Sequence, residues 1–207
     1  MSAGVFITLE GGEGAGKSTQ LRRLEAWWAA RGREVIVTRQ PGGVPLAEDL
    51  RTLLLHADDG AVTDQTELLL MFAARTQFLD ELVRPALARG AVVLCDRFTD
   101  STYAYQGGGR GMAKASIATL EQLVHGDLQP DLTLLLDLPV AEGMARAAER
   151  SSADRIERAG DAFFERVRTV FLARAEAAPE RMVVVDAGQP AEAVWSAIQS
   201  ILETRYP

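Results

Sequence analysis

The 207-residue sequence contains no asparagine, a single cysteine and only two lysines, which contrast with its 20 arginines. Without asparagine there is no N-K-x-D motif, with which regulatory GTPases read guanine, and the sequence has no D-x-x-G switch motif either. The single Cys95 excludes an internal disulfide and is typical of a protein from a reducing cytosol. These absences exclude a guanine-nucleotide switch and predict a cytoplasmic protein.

The sequence also lacks the signals of targeting and of membrane insertion. The N-terminal residues carry no basic region of the kind that opens a signal peptide, and no apolar run reaches transmembrane length. The formal net charge of −7 argues against a nucleic-acid polymer or an anionic membrane as the main partner. The hydrophobic content of 47% is ordinary for a globular chain, and we predict a single domain over residues 1–207.

A phosphate-binding motif organises the chain. Residues 11–18 read Gly-Gly-Glu-Gly-Ala-Gly-Lys-Ser and match the P-loop pattern G-x-x-x-x-G-K-[ST]. An apolar run at 5–9 predicts a strand before the motif, and apolar periodicity at 19–28 predicts a helix after it. This context favours nucleotide binding over a glycine-rich turn that binds nothing.

The motif assigns an ATP site to this loop. The predicted ATP-binding residues are Gly11, Gly12, Glu13, Gly14, Ala15, Gly16, Lys17, Ser18 and Thr19. Glycines let backbone N–H groups turn toward an anion, and the helix N-terminus adds its positive dipole end. Lys17 is expected to reach the β- and γ-phosphates, and Ser18 is expected to ligate Mg²⁺.

Strands and helices alternate along the rest of the chain. Further strands are predicted at 34–39, 91–95, 132–137 and 182–186, and helices at 45–55, 64–90, 101–105, 113–125, 140–150, 161–178 and 190–205. Residues 64–67 resemble a capping box, Pro85 is expected to bend the long helix, and residues 107–111 are predicted as a loop. The pattern predicts an α/β fold with a five-stranded parallel sheet and helices on both faces.

Polar residues are predicted at the carboxyl ends of all five strands, where α/β proteins bind ligands. These residues are Glu10, Arg39, Asp96, Asp137 and Asp186. Asp96 is predicted to hold Mg²⁺, directly or through water, as a Walker-B acid does. Asp137 competes for this role by pattern alone. A carboxylate that caps a turn is a stronger alternative for Asp137 than for Asp96, because Arg97 follows Asp96. Because the acidic charge balance disfavours a helicase or a motor, a small-molecule phosphotransferase remains.

Six segments of the chain resemble the thymidylate kinase family, in the order in which that family carries them. They are residues 6–19, 38–43, 70–75, 96–98, 101–111 and 130–137, and together they extend over nearly the whole chain. The resemblance implies a P-loop nucleoside monophosphate kinase fold, a homodimer, and Mg²⁺-dependent transfer of the γ-phosphate of ATP to dTMP. Gln40, Phe98 and Tyr103 depart from residues common in the family, which leaves the layout of the inner pocket open.

The resemblance also implies which residues bind dTMP. The expected set is Glu13, Arg39, Phe72, Arg75, Arg97, Ser101, Thr102, Tyr105 and Gln106. Glu13 is expected to contact the 3′-hydroxyl, and Arg39 and Arg97 are expected to hold the phosphate. Phe72 is expected to stack on thymine, and Arg75 to reach its carbonyl.

Further roles implied by the resemblance concern the sugar and the transferred phosphoryl group. Thr102 is expected at the base edge, and Tyr105 is expected under the deoxyribose, where it would exclude a 2′-hydroxyl. The expected catalytic residues are Lys17, Arg97, Arg150 and Arg155. The last two flank a charged segment without apolar periodicity, which we interpret as a mobile lid at about residues 150–160.

Several alternatives stay open at the level of the sequence. The chain could be a kinase for another nucleoside monophosphate or for a deoxynucleoside, or a P-loop switch or assembly ATPase that acts through a protein partner. Phe72 could belong to the core of its helix, and Tyr103 and Tyr105 could be ordinary packing residues. Arg110, which follows three glycines, is interpreted as a solvated loop charge.

Overall fold

A computed structural model describes residues 3–58, 60–148, 156 and 159–207 of the chain. Five parallel strands form one sheet in the order β2-β3-β1-β4-β5. The strands are β1 Val5–Glu10, β2 Val35–Arg39, β3 Val92–Asp96, β4 Leu132–Asp137 and β5 Met182–Asp186. The predicted α/β fold with a five-stranded parallel sheet is therefore confirmed.

Helices connect the strands. The α-helices are α1 Lys17–Ala29, α2 Pro45–His56, α3 Asp64–Phe78, α4 Arg84–Ala88, α5 Thr99–Thr102, α6 Lys114–His125, α7 Val140–Ala148, α8 Asp161–Ala177 and α9 Ala191–Arg205. Two π-helical segments, Leu79–Val83 and Tyr103–Gly109, continue α3 and α5 without a break. Within the described residues, we find no helix long and apolar enough to cross a membrane.

Helices cover both faces of the sheet, and the central strands β1, β3 and β4 are buried and mostly apolar. Side chains of β1, β3 and β4 pack against α1 and α9 on one face. On the opposite face, β1 and β3 pack against α2, α3 and α4, whereas β4 packs against α8. Continuous burial on both faces explains why these strands read as unbroken apolar runs rather than as alternating patterns.

The strand register places the polar strand ends along one edge of the sheet. Leu9 and Arg39 both pair with Asp96, and Asp137 pairs with Asp186. Each of the five strands ends at the predicted polar residue. The P-loop and the turn after β3 leave the sheet at this edge, so their functional groups face a common space.

The predicted capping box at residues 64–67 is wrong. Thr63 is the N-cap of α3, and its Oγ1 accepts the Thr66 N–H at 3.3 Å. The Glu67 carboxylate, 1% exposed, instead pairs with Arg110 and Gln106 across the fold. The Glu67 side chain forms tertiary contacts, so it does not cap the N-terminus of its own helix as the local sequence pattern predicts.

The glycine-rich segment at 107–109 is also not a loop. It forms the end of a π-helical segment on which α8 packs at very short range. A Cβ at Gly109 would lie 2.3 Å from the Phe163 ring, and one at Gly108 would lie 2.7 Å from Val170. The glycines therefore allow two helices to approach, which is a packing role that local composition does not predict.

Candidate active site

The P-loop joins β1 to α1 and wraps around the N-terminus of that helix. Gly14 has a φ of +69°, and a Cβ there would lie 2.1 Å from the carbonyl oxygen of Gly143 in α7, so only glycine fits. The Lys17 Nζ donates to the carbonyls of Gly11 at 3.2 Å and Gly12 at 2.9 Å. Burial lowers the pKa of Lys17, and its ammonium stays folded back over the loop. This arrangement is typical of a cradle for phosphates.

A cavity of about 200 Å³ opens beside the P-loop. Its lining combines cations, hydroxyls and apolar side chains from six regions of the chain. The lining residues are Glu13, Gln40, Pro41, Arg51, Leu55, Met71, Arg75, Arg97, Phe98, Ser101, Thr102, Tyr105, Gln106 and Ile156. A concave site in which apolar side chains stand beside converging polar and charged groups is typical of small-molecule binding.

Arg97 links this cavity to the P-loop. Its backbone φ is +65°, the only positive φ outside glycine in the described part of the chain. Its Nη1 donates to the Gly11 carbonyl at 2.8 Å, and its Nη2 bonds the Glu13 carboxylate at 2.5 Å. The Tyr105 hydroxyl donates to the same carboxylate oxygen at 2.9 Å, and the Arg97 guanidinium lies 4.9 Å from the Tyr105 ring. These contacts fix a cation between the P-loop and the cavity.

Arg75 supplies a second, deeply buried cation. It is 2% exposed, and its Nη2 donates to Thr102 Oγ1 at 2.8 Å. Within the described residues its Nε and Nη1 have no hydrogen-bond partner. Burial lowers the pKa of Arg75 to about 10, and the group stays charged at neutral pH. Buried donors without partners are costly, so a ligand acceptor is the natural complement of this guanidinium.

Known proteins with similar sequence and structure identify the family. The thymidylate kinase family profile matches residues 9–198. A thymidylate kinase of Pseudomonas fluorescens (strain SBW25) is 60% identical over 201 residues, which cover 97% of this chain and 96% of the relative. A crystal structure of thymidylate kinase from Ehrlichia chaffeensis superposes with a TM-score of 0.78 and 32% identity, covering 97% of this chain and 99% of that one. The chain belongs to the thymidylate kinase family.

Membership in the thymidylate kinase family confirms the predicted kinase and P-loop nucleoside monophosphate kinase fold. A thymidylate kinase of Pseudomonas putida (strain F1), 59% identical over 200 residues and covering 97% of this chain and 95% of the relative, agrees. The alternative of a switch or assembly ATPase is thereby set aside. The geometry of the cavity shows which of the expected site residues the fold brings together.

Most of the residues expected to bind dTMP do line the cavity of this family member. They are Glu13, Arg75, Arg97, Ser101, Thr102, Tyr105 and Gln106. Tyr105 is both a packing residue and a cavity residue, since its ring contacts Phe163, Phe164 and Phe171 of α8. Tyr103 instead points away, with its hydroxyl on Glu121 at 2.6 Å.

Phe72 is not among the side chains that line the cavity. Its ring is 2% exposed and packs with Leu68, Tyr103 and Ile117 behind the pocket. Met71, its neighbour in α3, lines the cavity in its place. One residue along a helix turns a side chain by about 100°. The Phe72 ring nevertheless lies 4.8 Å from the guanidinium of Arg75, which does line the cavity. That Phe72 stacks on the base stays a prediction.

Arg39 lies outside the cavity, in a neighbouring groove that it lines together with Asp96. Its side chain is 55% exposed and pairs with Glu48 at 2.8 Å. Arg51 of α2 lines the cavity instead, and its Nη1 donates to the Pro41 carbonyl at 3.0 Å. Burial lowers the pKa of Arg51, and the nearby Arg39 and Arg97 add to this shift. The sequence analysis did not identify Arg51, because its half-buried position beside the cavity is set by the fold.

Two further expectations concern charged residues near the site. Asp137 does not cap a turn, because Arg168 of α8 holds both of its oxygens at 2.8 and 2.9 Å. Arg110 is not a solvated loop charge either: its side chain is 21% exposed and pairs with Glu67 at 3.3 Å. Both ion pairs tie neighbouring elements together at the rim of the site.

The expected lid lies mostly outside the described residues. Arg150 and Arg155 both fall there, and only Ile156, Ala159 and Gly160 of the segment 150–160 are described. Ile156 lines the cavity.

Proposed function

We propose that the chain transfers the γ-phosphate of ATP to dTMP, giving dTDP and ADP. The observation that carries this proposal is the cavity beside the P-loop, with buried Arg75 at one end and Arg97 at the other. Phosphoryl transfer needs two anionic substrates in line and cations between them, and little covalent chemistry from the protein. The P-loop would hold the donor, and the cavity would hold the acceptor.

The donor side of the site fits ATP with Mg²⁺. Asp96 ends β3, and its Oδ1 is buried without a hydrogen-bond partner among the described residues. Ser18 lies in the first turn of α1, so a hydroxyl and a carboxylate are available, with phosphate oxygens and water as further ligands. No group of three or more His, Cys, Asp or Glu residues that could hold a metal occurs in the described ranges, which favours a phosphate-bound Mg²⁺ over a protein cage. When bound, Mg²⁺ would neutralise charge on the β- and γ-phosphates.

The far end of the cavity suits a thymine base. The unpartnered N–H groups of Arg75 would donate to a base carbonyl, and Thr102 fixes the orientation of the guanidinium at 2.8 Å. Met71 and Phe98 provide apolar surface for the ring and for the methyl group. Cytosine presents an amino donor where thymine presents a carbonyl, so Arg75 would be left unpaired against dCMP.

The near end suits a sugar and a monophosphate. Arg51 and Arg97 line the cavity there and would bind the acceptor phosphate. Arg39 lies close enough to Arg51 to add its positive charge to the electrostatic attraction. The Tyr105 ring, held by Glu13 and Arg97, would occupy the volume that a 2′-hydroxyl needs. This arrangement favours a deoxyribonucleotide.

The test is a substrate series with one coupled assay for ADP release. We expect kcat/KM to fall from dTMP to dUMP by about 10- to 200-fold, the usual effect of one methyl-sized group, with dCMP poorest. ADP release that is independent of any monophosphate, or equal values for dTMP and dCMP, would contradict the proposal. Tyr105→Ala should raise the ratio of ribo-TMP to dTMP turnover, whereas Tyr105→Phe, which keeps the ring, should leave it unchanged.

We also propose that the chain is a cytoplasmic homodimer. Exposed leucines on adjacent helices support this, namely Leu53 of α2, Leu69 of α3 and Leu123 of α6, which are 49%, 50% and 79% exposed. Exposed apolar side chains on neighbouring helices are candidates for a protein interface. Sedimentation equilibrium of the wild-type chain and of Leu123→Arg checks this, and a wild-type monomer would contradict it.

A further inference from the structure

A buried carboxylate lies behind the turn that carries Arg97. Glu10 is the last residue of β1 and is 0% exposed. Its Oε1 accepts the N–H groups of Phe98 at 2.7 Å and Ser101 at 3.3 Å, and its Oε2 accepts the Ser101 hydroxyl at 2.5 Å. The Glu10 side chain therefore holds both the residue before α5, Phe98, and a residue within α5, Ser101.

These hydrogen bonds lead directly to Arg97. The Ser101 Oγ that donates to Glu10 lies 3.3 Å from Arg97 Nη1, and the Arg97 N–H donates to the Leu9 carbonyl at 2.9 Å. Arg97 itself has the unfavourable backbone φ of +65°. A non-glycine residue keeps such a conformation only where its surroundings determine it, and such residues concentrate at functional sites.

The cost of burying this acid argues against a purely stabilising role. Burial, together with the nearby Asp100, raises the pKa of Glu10 to about 7. Asp100 is compensated by two arginines, Arg174 at 2.5 Å and Arg181 at 2.7 Å, but these pair with Asp100 and not with Glu10. Among the described residues, only Phe98 and Ser101 of the active-site turn donate hydrogen bonds to Glu10. A buried carboxyl with a raised pKa and these partners orients that turn rather than stabilising the core.

We propose that Glu10 is a positioning residue that holds the Arg97 turn so that the guanidinium lies between the P-loop and the acceptor cavity. The proposal rests on the role of Arg97 in binding the acceptor phosphate. Glu10 does not contact substrate in this scheme, and it acts through Phe98 and Ser101 only.

A double-mutant cycle tests this coupling. Glu10→Gln keeps an acceptor for the backbone N–H groups but directs an amide N–H at the Ser101 hydroxyl, which already faces Arg97 Nη1. We expect kcat/KM for dTMP to fall about 10- to 100-fold, the range for hydrogen bonds to charged groups, while KM for ATP changes less than about twofold. In the Arg97→Ala background the same substitution should cost less than about threefold, because its effect runs through Arg97.

A matched control separates positioning from stability. Asp131 also presents a carboxylate to β1, where its Oδ2 accepts the Phe6 N–H at 2.7 Å, but at the opposite end of the strand. Asp131→Asn should change the free energy of unfolding without changing kcat/KM. An equal loss from Glu10→Gln in both backgrounds, or unchanged kinetics, overturns the proposal for Glu10 alone. Full activity of Arg97→Ala would overturn the role of Arg97 and the positioning role together.

Discussion

A buried histidine beneath the acceptor cavity should make stability depend on pH in a defined direction. His125 is 0% exposed at the end of α6, its Nε2 lies 3.0 Å from Thr99 Oγ1, and its ring stacks on Phe98 with centroids 4.9 Å apart. Burial, reinforced by the charge of Arg75, lowers the pKa of His125 from 6.5 to about 4. We would replace His125 with glutamine (His125→Gln), which keeps a polar side chain but removes the imidazole that binds the proton.

The sign and size follow from proton linkage. Below pH 6.5 the unfolded chain protonates His125 and the folded chain does not, so the free energy of unfolding falls as the pH falls toward 4. Each pH unit in this window costs about 1.4 kcal/mol, which amounts to about 3 kcal/mol at pH 4. Glu10, with its pKa raised to about 7, has the opposite effect on the free energy of unfolding. Between pH 7 and pH 4.5 the folded chain holds a proton on Glu10 that the unfolded chain does not, so this contribution rises as the pH falls. That contribution is common to both proteins and cancels in their difference.

The assay is urea unfolding at pH 7.5 and pH 5.5, followed by the fluorescence of the three tryptophans. The wild-type chain should lose about 1.4 kcal/mol more than His125→Gln between these two pH values. His56, the other histidine of the sequence, is exposed on α2 and offers the matched control, since His56→Gln should behave like the wild type. If His125→Gln and the wild type lose the same free energy, the argument from burial is wrong.

Three further predictions concern the P-loop, the π-helical segment and the lid. Lys17→Ala should lower turnover by about 10²- to 10³-fold, the cost of one preorganised donor to developing charge, with the unfolding curve unchanged. Gly109→Ala should destabilise the fold by about 1–3 kcal/mol in urea titrations, since its Cβ would lie 2.3 Å from a phenylalanine ring of α8; Gly107→Ala, at 3.3 Å from its nearest neighbour, is the milder control. Of the single variants Arg150→Ala and Arg155→Ala, at least one should lower kcat by about 10³-fold or more with little change in KM for dTMP, and full turnover in both would exclude an arginine finger in the lid.

Much of the sheet edge could be predicted from the sequence because every strand carries an uncharged, mainly apolar run before its last residue. Such a run ends where the chain meets solvent or ligand, so the first charged residue marks the end of the strand. Glu10, Arg39, Asp96, Asp137 and Asp186 were located in this way, and each ends its strand. The carboxyl ends of parallel strands lie at one edge of a sheet, and this rule predicted that the site lies at that edge.

The orientation of α3 could not be predicted to one residue. Phe72 and Met71 precede Arg75 by three and four positions, and both spacings place a side chain on the same helix face as the arginine. Which of the two faces the cavity depends on α6 and on the π-helical segment after α5, because Ile117 and Tyr103 cover Phe72 from behind. Sequence periodicity carries no information about partners that lie this far along the chain.

The glycines at 107–109 failed as a loop signal for a related reason. The residues that require them belong to α8, more than fifty positions later. The local composition therefore predicted a loop, whereas in the structure Gly108 and Gly109 lie in a helical segment and allow α8 to pack closely against it.

The acceptor site is built on a four-residue helix that has too few residues to be stable by itself. Each residue of α5 bonds a different part of the fold through its side chain: Thr99 bonds His125, Asp100 bonds Arg174, Ser101 bonds Glu10, and Thr102 bonds Arg75. Apolar packing could bury this segment equally well, but it would set its position only loosely, since hydrophobic contacts have no preferred direction. Hydrogen bonds to α6, α8, β1 and α3 specify both the position and the rotation of the turn. The buried polar groups around α5 are therefore best understood as the means by which Arg97 and Thr102 are oriented toward a ligand.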